Sequence, residues 1–175
     1  VRIFLYFFVL CICFMALISC STSKSETTLL NDTQLEEFIR SHQLNVTAKQ
    51  VIGNKLTVIM FENANNMGFY TAYIQDGEIV SSSVISDNNT DTSPISTGGV
   101  NTGVPFVTIS INDEELIKNS YEIKIVWDDG QESIQTVNNR SALIIPYDNN
   151  SFNVTKSFDV VHLLDVNENI IFEEF

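Results

Sequence analysis

Twice in this chain an Asp-Gly dipeptide stands between runs in which apolar and polar residues alternate. GFYTAYIQ precedes Asp76-Gly77 and EIVSSSVIS follows it; YEIKIVWD precedes Asp129-Gly130 and QESIQTV follows it. Alternation with a period of two puts successive side chains on opposite faces of an extended strand. Asp-Gly tolerates the positive φ angles that a tight hairpin needs. The pattern commits most of the chain to antiparallel sheet, because a helical period of 3.6 would scatter these apolar residues around every face.

Further segments carry their own strand and helix signals. KLTVIMFE is apolar on both faces, with Leu56, Val58 and Met60 on one side and Thr57, Ile59 and Phe61 on the other, as a central strand requires. VPFVTISIN, SALIIPY, FDVVHLLDV and NIIFEEF are further short strands, the last two joined by a turn at Asn167-Glu168. NDTQLEEFIRSHQ is the one helix of any length. Asp32 or Thr33 is its expected cap, Thr33 and Glu36 have capping-box spacing, and Leu35, Phe38 and Ile39 share a face. NDEELIKN reads as a turn or two of helix with Asn112 and Glu115 in capping positions. The expected fold is mainly β: a short N-terminal helix on an antiparallel meander, followed by a small immunoglobulin-like β-sandwich. The Cys–Trp–Cys signature of true immunoglobulin domains is absent. Residues 32–92 form the expected meander unit, 93–103 a Gly/Ser/Thr linker and 104–175 the sandwich.

Charge narrows the partners. With 22 Asp and Glu against 9 Lys and Arg, the net charge is −13, which repels phosphate backbones and argues against nucleic acid. The same charge gives no attraction to anionic lipid, so membrane contact needs an apolar anchor.

One is available at the N-terminus. Arg2 is followed by an unbroken apolar run, Ile3 to Ile18, then Ser19, Cys20 and the Ser/Thr-rich stretch STSKSETTLLNDT. All three cysteines, Cys11, Cys13 and Cys20, fall in the first twenty residues. A run of this length and position is a signal peptide or an uncleaved membrane helix. Leu17-Ile18-Ser19-Cys20 resembles the lipobox of bacterial lipoproteins: Leu, a variable residue, a small residue, then Cys. The resemblance covers the leader alone. It implies that residues 1–19 are a signal peptide removed before Cys20 and that the Cys20 thiol carries a diacylglyceryl group. The protein would then be lipid-anchored at the extracytoplasmic face of the bacterial cell membrane. Two acyl chains suffice for stable anchoring where one is marginal. Residues 20–31 would be a flexible tether.

Each common reaction centre demands residues that can be looked for. Zinc needs three or four close His, Cys or carboxylate ligands, and the mature chain has only His42, His162 and Cys20. His42 falls in the last turn of the helix, a surface position where a cation favours the dipole. A Ser–His–Asp arrangement could draw on His162, but no G-x-S-x-G elbow occurs. His162 alternates with Phe158, Val160, Leu164 and Val166, which reads as a satisfied or half-buried core histidine. The carboxylate groups Asp113, Glu114 and Glu115, Asp128 and Asp129, and Glu173 and Glu174 lie at turns or the chain end, as solvated charge does. DNNTD and DVNEN cluster oxygen ligands but lack the EF-hand's mid-loop Gly and final Glu. STGGVNTG has no Lys and precedes a strand, unlike a phosphate loop. Tyr121, Ile123, Ile125 and Trp127 share a face expected to be core; Phe69 and Tyr73 share a face opposite Tyr70, and core or half-core packing is expected for these aromatics ahead of an exposed cluster. No cofactor and no catalytic set are expected. The reading is a cell-envelope lipoprotein, attached through Cys20, whose β-rich body binds an envelope protein, peptide or cell-wall ligand by a sheet edge or loop. The alternative is an envelope hydrolase using His162 with an acidic residue.

Overall fold

The structure is a computed structural model that describes residues 27–87, 93–148 and 153–175. The apolar leader, Cys20 and most of DNNTD lie outside these residues. The first half contains β1 (Thr27–Thr28), α1 (Asp32–Ser41), β2 (Val46–Ile52), β3 (Leu56–Glu62), β4 (Asn66–Gln75) and β5 (Glu78–Asp87). The four long strands make the expected antiparallel meander. Asp76 and Gly77 both take positive φ, 52° and 85°, in the β4–β5 turn, as a type I′ hairpin requires. β1 pairs with Ile74 and Gln75 of β4, on the side away from β5. Residues 27–30, expected in the tether, are therefore held, and Leu30 is buried.

The α1 cap lies one residue earlier than the sequence reading placed it. Asn31 is the N-cap: its Oδ1 accepts from Gln34 N at 2.9 Å, and Asn31 N donates to Gln34 Oε1 at 3.0 Å. Gln at the third helical position closes the box that Thr33 and Glu36 were expected to make, leaving Asp32 in the first turn where the dipole favours a carboxylate. The helix ends at His42, whose Nδ1 donates to Phe38 O at 2.9 Å while its ring stacks on Phe38. Phe38 packs with Leu30, Ile59 and Ala72, covering one face of the meander.

The second half contains β6 (Ile95–Val100), β7 (Thr102–Gly103), β8 (Phe106–Ile111), α2 (Glu114–Asn119), β9 (Glu122–Trp127), β10 (Glu132–Thr136), β11 (Ala142–Pro146), β12 (Val154–Thr155), β13 (Phe158–Leu164) and β14 (Ile170–Glu174). One sheet runs β11-β8-β6 and a second β10-β9-β13-β14, while β7 and β12 form a separate ribbon. Constant-type immunoglobulin domains place the fourth strand with the first, second and fifth. Here that strand, β10, lies beside β9 in the other sheet. α2 is capped by Asp113, which accepts from Leu116 N, and not by Asn112.

Within the stretch 93–103, expected as a linker, Ile95–Val100 and Thr102–Gly103 are strands. Gly98 opposes Thr108 and Gly99 opposes Val107 in the β6–β8 ladder. A Cβ on Gly99 would fall 2.2 Å from Phe106 O, so these glycines permit a close backbone approach and do not mark a loop.

The three-stranded sheet is buried on both faces. Val107, Ile109, Ile111, Leu143 and Ile145 point toward Ile123, Ile125, Trp127, Val161 and Leu163 of the four-stranded sheet. Phe106, Ala142 and Ile144 point the other way, onto Ile52, Val58, Met60 and Phe69 of the meander. The architecture is thus four layers: α1, the meander sheet, the three-stranded sheet and the four-stranded sheet. β3 and β11 lie inside it, which accounts for their near-continuous apolar sequence, and β8 lies beside β11 with Thr108 and Ser110 on its meander side.

Candidate functional site: an open strand edge above a cleft

β5 forms one edge of the meander sheet. It is ten residues long, pairs with β4 in unbroken register from Asn66↔Asp87 to Gln75↔Glu78, and has no second partner strand among the described residues. The tight turn at Asp76-Gly77 fixes that register, and the alternation of β5 places Val80, Ser82 and Val84 on one face and Ile79, Ser81, Ser83 and Ile85 on the other. The neighbouring layers leave most of this strand exposed. Ile79, Val84 and Ile85 are 42%, 51% and 49% exposed, although they are large and apolar.

An uncovered edge presents a row of free N–H and C=O groups to any other strand, and proteins ordinarily blunt such edges with Lys, Pro, bulges or brevity. β5 has none of these: its only charges, Glu78 and Asp87, are at its ends. The opposite edge, β2, carries Lys49 and a register shift near Val46. The edge strands of the four-stranded sheet, β10 and β14, are five residues each and carry Glu132, and Glu173 with Glu174.

Beneath β5 a cleft of about 270 Å³ opens between the meander and the three-stranded sheet. Met60 and Phe69 floor it, Val84 and Ser86 of β5 form its lip, and Ser96, Thr108 and Ser110 supply a hydroxyl-bearing wall. A Cβ at Gly98 would stand 2.9 Å from Thr108 Oγ1 and 3.6 Å from the Phe69 ring, so the glycine keeps this space open.

The residues singled out from sequence are distributed elsewhere. His162 is on the outer face of the four-stranded sheet, opposite Lys124 and Glu173, because a register shift between Phe158 and Val160 leaves Val161 and Leu163 facing the core. It is half-buried and bonded to Glu173, as expected, but on the outer face and not in the core. Its Nε2 lies 2.8 Å from Glu173 Oε2, and its Nδ1 is closed to solvent and has no hydrogen-bond partner. A general base must offer a nitrogen to substrate. Here one nitrogen is held by Glu173 and the other is inaccessible, so the pair acts as a cross-strand contact.

Asp128 and Asp129 sit in the β9–β10 turn, which is a three-residue loop, with Trp127 N donating to Gln131 O and Gly130 at φ 81°. Asp129 and Gly130 make this turn, as expected, together with Asp128. Asp129 accepts from Lys156 Nζ (2.6 Å), Tyr147 Oη (2.7 Å) and Gln131 N (3.0 Å). The Lys156 hydrogen bond, followed by those of Gln131 and Tyr147, holds the Asp129 carboxyl well below the usual carboxylate range, and the same contact raises Lys156. Lys156 also lies over the Tyr147 ring, which meets Trp127 edge-on. This set ties the segment before β13 to the β9–β10 turn.

Asp165 of DVNEN accepts from Asn167 N, Asn169 N and Asn169 Nδ2, so its oxygens organise the β13–β14 turn and do not face a cation. Among the described residues, no three His, Cys, Asp or Glu side chains gather in a metal-holding group. Trp127 and Phe69 are core, as alternation indicates for Trp127. Tyr121, expected there too, is 49% exposed and lines an open depression at the sandwich end. Tyr70 packs against Phe38, His42 and Phe61 beneath α1. Among the described residues, no helix is long and apolar enough to cross a membrane.

No family model, curated protein or solved structure matches the chain. The β5 edge was within reach of the sequence, where its length and lack of internal charge are visible. Its position at the margin of the sheet was not, because β4 and β5 alternate alike.

Proposed function

We propose that the chain is a lipid-anchored cell-envelope protein whose body is a non-catalytic binding module that accepts an extended polypeptide strand along β5. The anchor rests on Leu17-Ile18-Ser19-Cys20 and the apolar run before it. The binding role rests on one observation: a ten-residue edge strand with no internal charge, proline or bulge, half-exposed at its largest side chains. In strand addition, main-chain hydrogen bonds supply affinity and pockets for alternate side chains supply selectivity. The cleft floored by Met60 and Phe69 lies at the lip formed by Val84 and can take such a side chain.

Mass spectrometry of the membrane-extracted N-terminus tests the anchor. Cleavage before Cys20 with two acyl chains on the mature terminus is expected; an unacylated chain that retains residues 1–19 would refute it. The binding role is tested by hydrogen exchange of the full chain with a ten-residue Thr-Val repeat peptide, which should slow exchange in β5 alone. Unchanged β5 exchange at saturating peptide would count against strand addition.

A further inference from the structure

Residues 79–85 of β5 read Ile-Val-Ser-Ser-Ser-Val-Ile, the same in both directions about Ser82. On an open edge strand this symmetry has a geometric meaning. Two copies of a strand related by a two-fold axis normal to the sheet pair antiparallel, and the axis passes between two equivalent residues. With the axis at Ser82, Ile79 opposes Ile85 of the second copy, Val80 opposes Val84, Ser81 opposes Ser83, and Ser82 opposes itself. Glu78 then faces Ser86 and Asp87 faces Gly77, so no two carboxylates meet. Moving the axis one residue toward the N-terminus sets Val84 against Glu78; moving it one residue the other way sets Ile79 against Asp87. Of these, only the Ser82 register matches each side chain of residues 79–85 with its like.

We propose that the strand β5 accepts is β5 of a second copy, joining two meander sheets edge to edge about Ser82. This rests on the reading of β5 as a strand-accepting edge and names its partner. The strand is accessible to the approach, since Ser81 to Asp87 are all exposed. One strand pair buries much less than the roughly 1,200–2,000 Å² of a stable interface, so the dimer is weak in dilute solution. Confinement of both copies to one membrane raises their effective concentration and favours it.

Disulfide trapping in the full chain tests the register. Directly opposed residues of an antiparallel pair have Cα atoms about 4.5–5.5 Å apart, within disulfide reach. S82C in phosphatidylcholine vesicles should therefore give a reducible dimer under mild oxidation. The S86C positions lie roughly 27 Å apart at ~3.4 Å per residue and should give none. The unmodified chain reports any cross-link through its own cysteines. S82K places two ammonium groups opposite each other and should reduce the dimer fraction at least tenfold, read by energy transfer between donor- and acceptor-labelled chains in the same vesicles, with an unchanged circular dichroism spectrum. Equal trapping of S82C and S86C means random collision and overturns the proposal. A monomeric chain whose β5 still gains exchange protection from the Thr-Val peptide overturns the second copy as partner while leaving the strand-accepting edge intact. Protection by neither removes both.

Discussion

Asp129 is the point where three donors from separate elements converge, and its stability contribution has a definite sign. A carboxyl held below its ordinary value of about 3.9 stabilises the fold above that pH, and the contribution is lost as pH falls through the folded-state value. Asp165, lowered by the Asn169 side chain and backbone amides, contributes in the same sense. Thermal melts from neutrality to about pH 2 should show the wild-type curve falling more steeply below about pH 4 than that of D129N. Parallel curves would remove the Asp129 cluster from the account. Gly99 gives a second residue-scale test. G99A forces a methyl into Phe106 O, and a loss of about 1–3 kcal/mol is expected by denaturant titration, as for overpacking elsewhere. His162 shows where reading single residues stops. Its apolar neighbours at alternate positions are visible in sequence, but which face of β13 turns inward depends on a one-residue shift against β9.

At the scale of elements, local chemistry decides the boundaries. Asn31→Ala should cost about 1 kcal/mol of stability, whereas Thr33→Ala, inside the first turn, should change it little. Equal effects in chemical denaturation would reassign the cap. The hairpins, the central character of β3 and the existence of α1 were legible from alternation and turn residues. β6 was not, because Ser-Thr-Gly-Gly carries the composition of a loop. Its glycines are there because β8 approaches closely, a tertiary cause with no local signature. Tyr121 was misplaced for a related reason: alternation assigns it to the core face of β9, but the strand begins at Glu122 and Tyr121 lies beyond the sandwich wall. β5 has the same alternation as its neighbours, so its exposure follows from being last in the meander and not from its residues.

For the whole molecule, the decisive element is the three-stranded sheet that both halves share. The run ALIIP of β11 is apolar on both faces, while β8 alternates Val107, Ile109 and Ile111 with Thr108 and Ser110, and a reading as two successive units gives no place for the second face of β11. Layering supplies it, since Ile144 faces the meander and Leu143 faces the four-stranded sheet. I144A and L143A should each cost about 2–5 kcal/mol and shift one common unfolding transition, because each opens a cavity in a shared layer. Two separable transitions, each responding to one variant, would divide the molecule. Burial of this middle sheet also leaves β5 as the longest open edge among the described residues, the strand to which the proposed association is assigned. Hydrogen exchange across β5, compared between dilute detergent micelles and membrane vesicles, tests this most directly. The account predicts fast exchange of the outward amides of Glu78–Asp87 in dilute micelles and protection in vesicles, with β8 and β11 slow in both. Fast exchange of β5 in the membrane as well would contradict it.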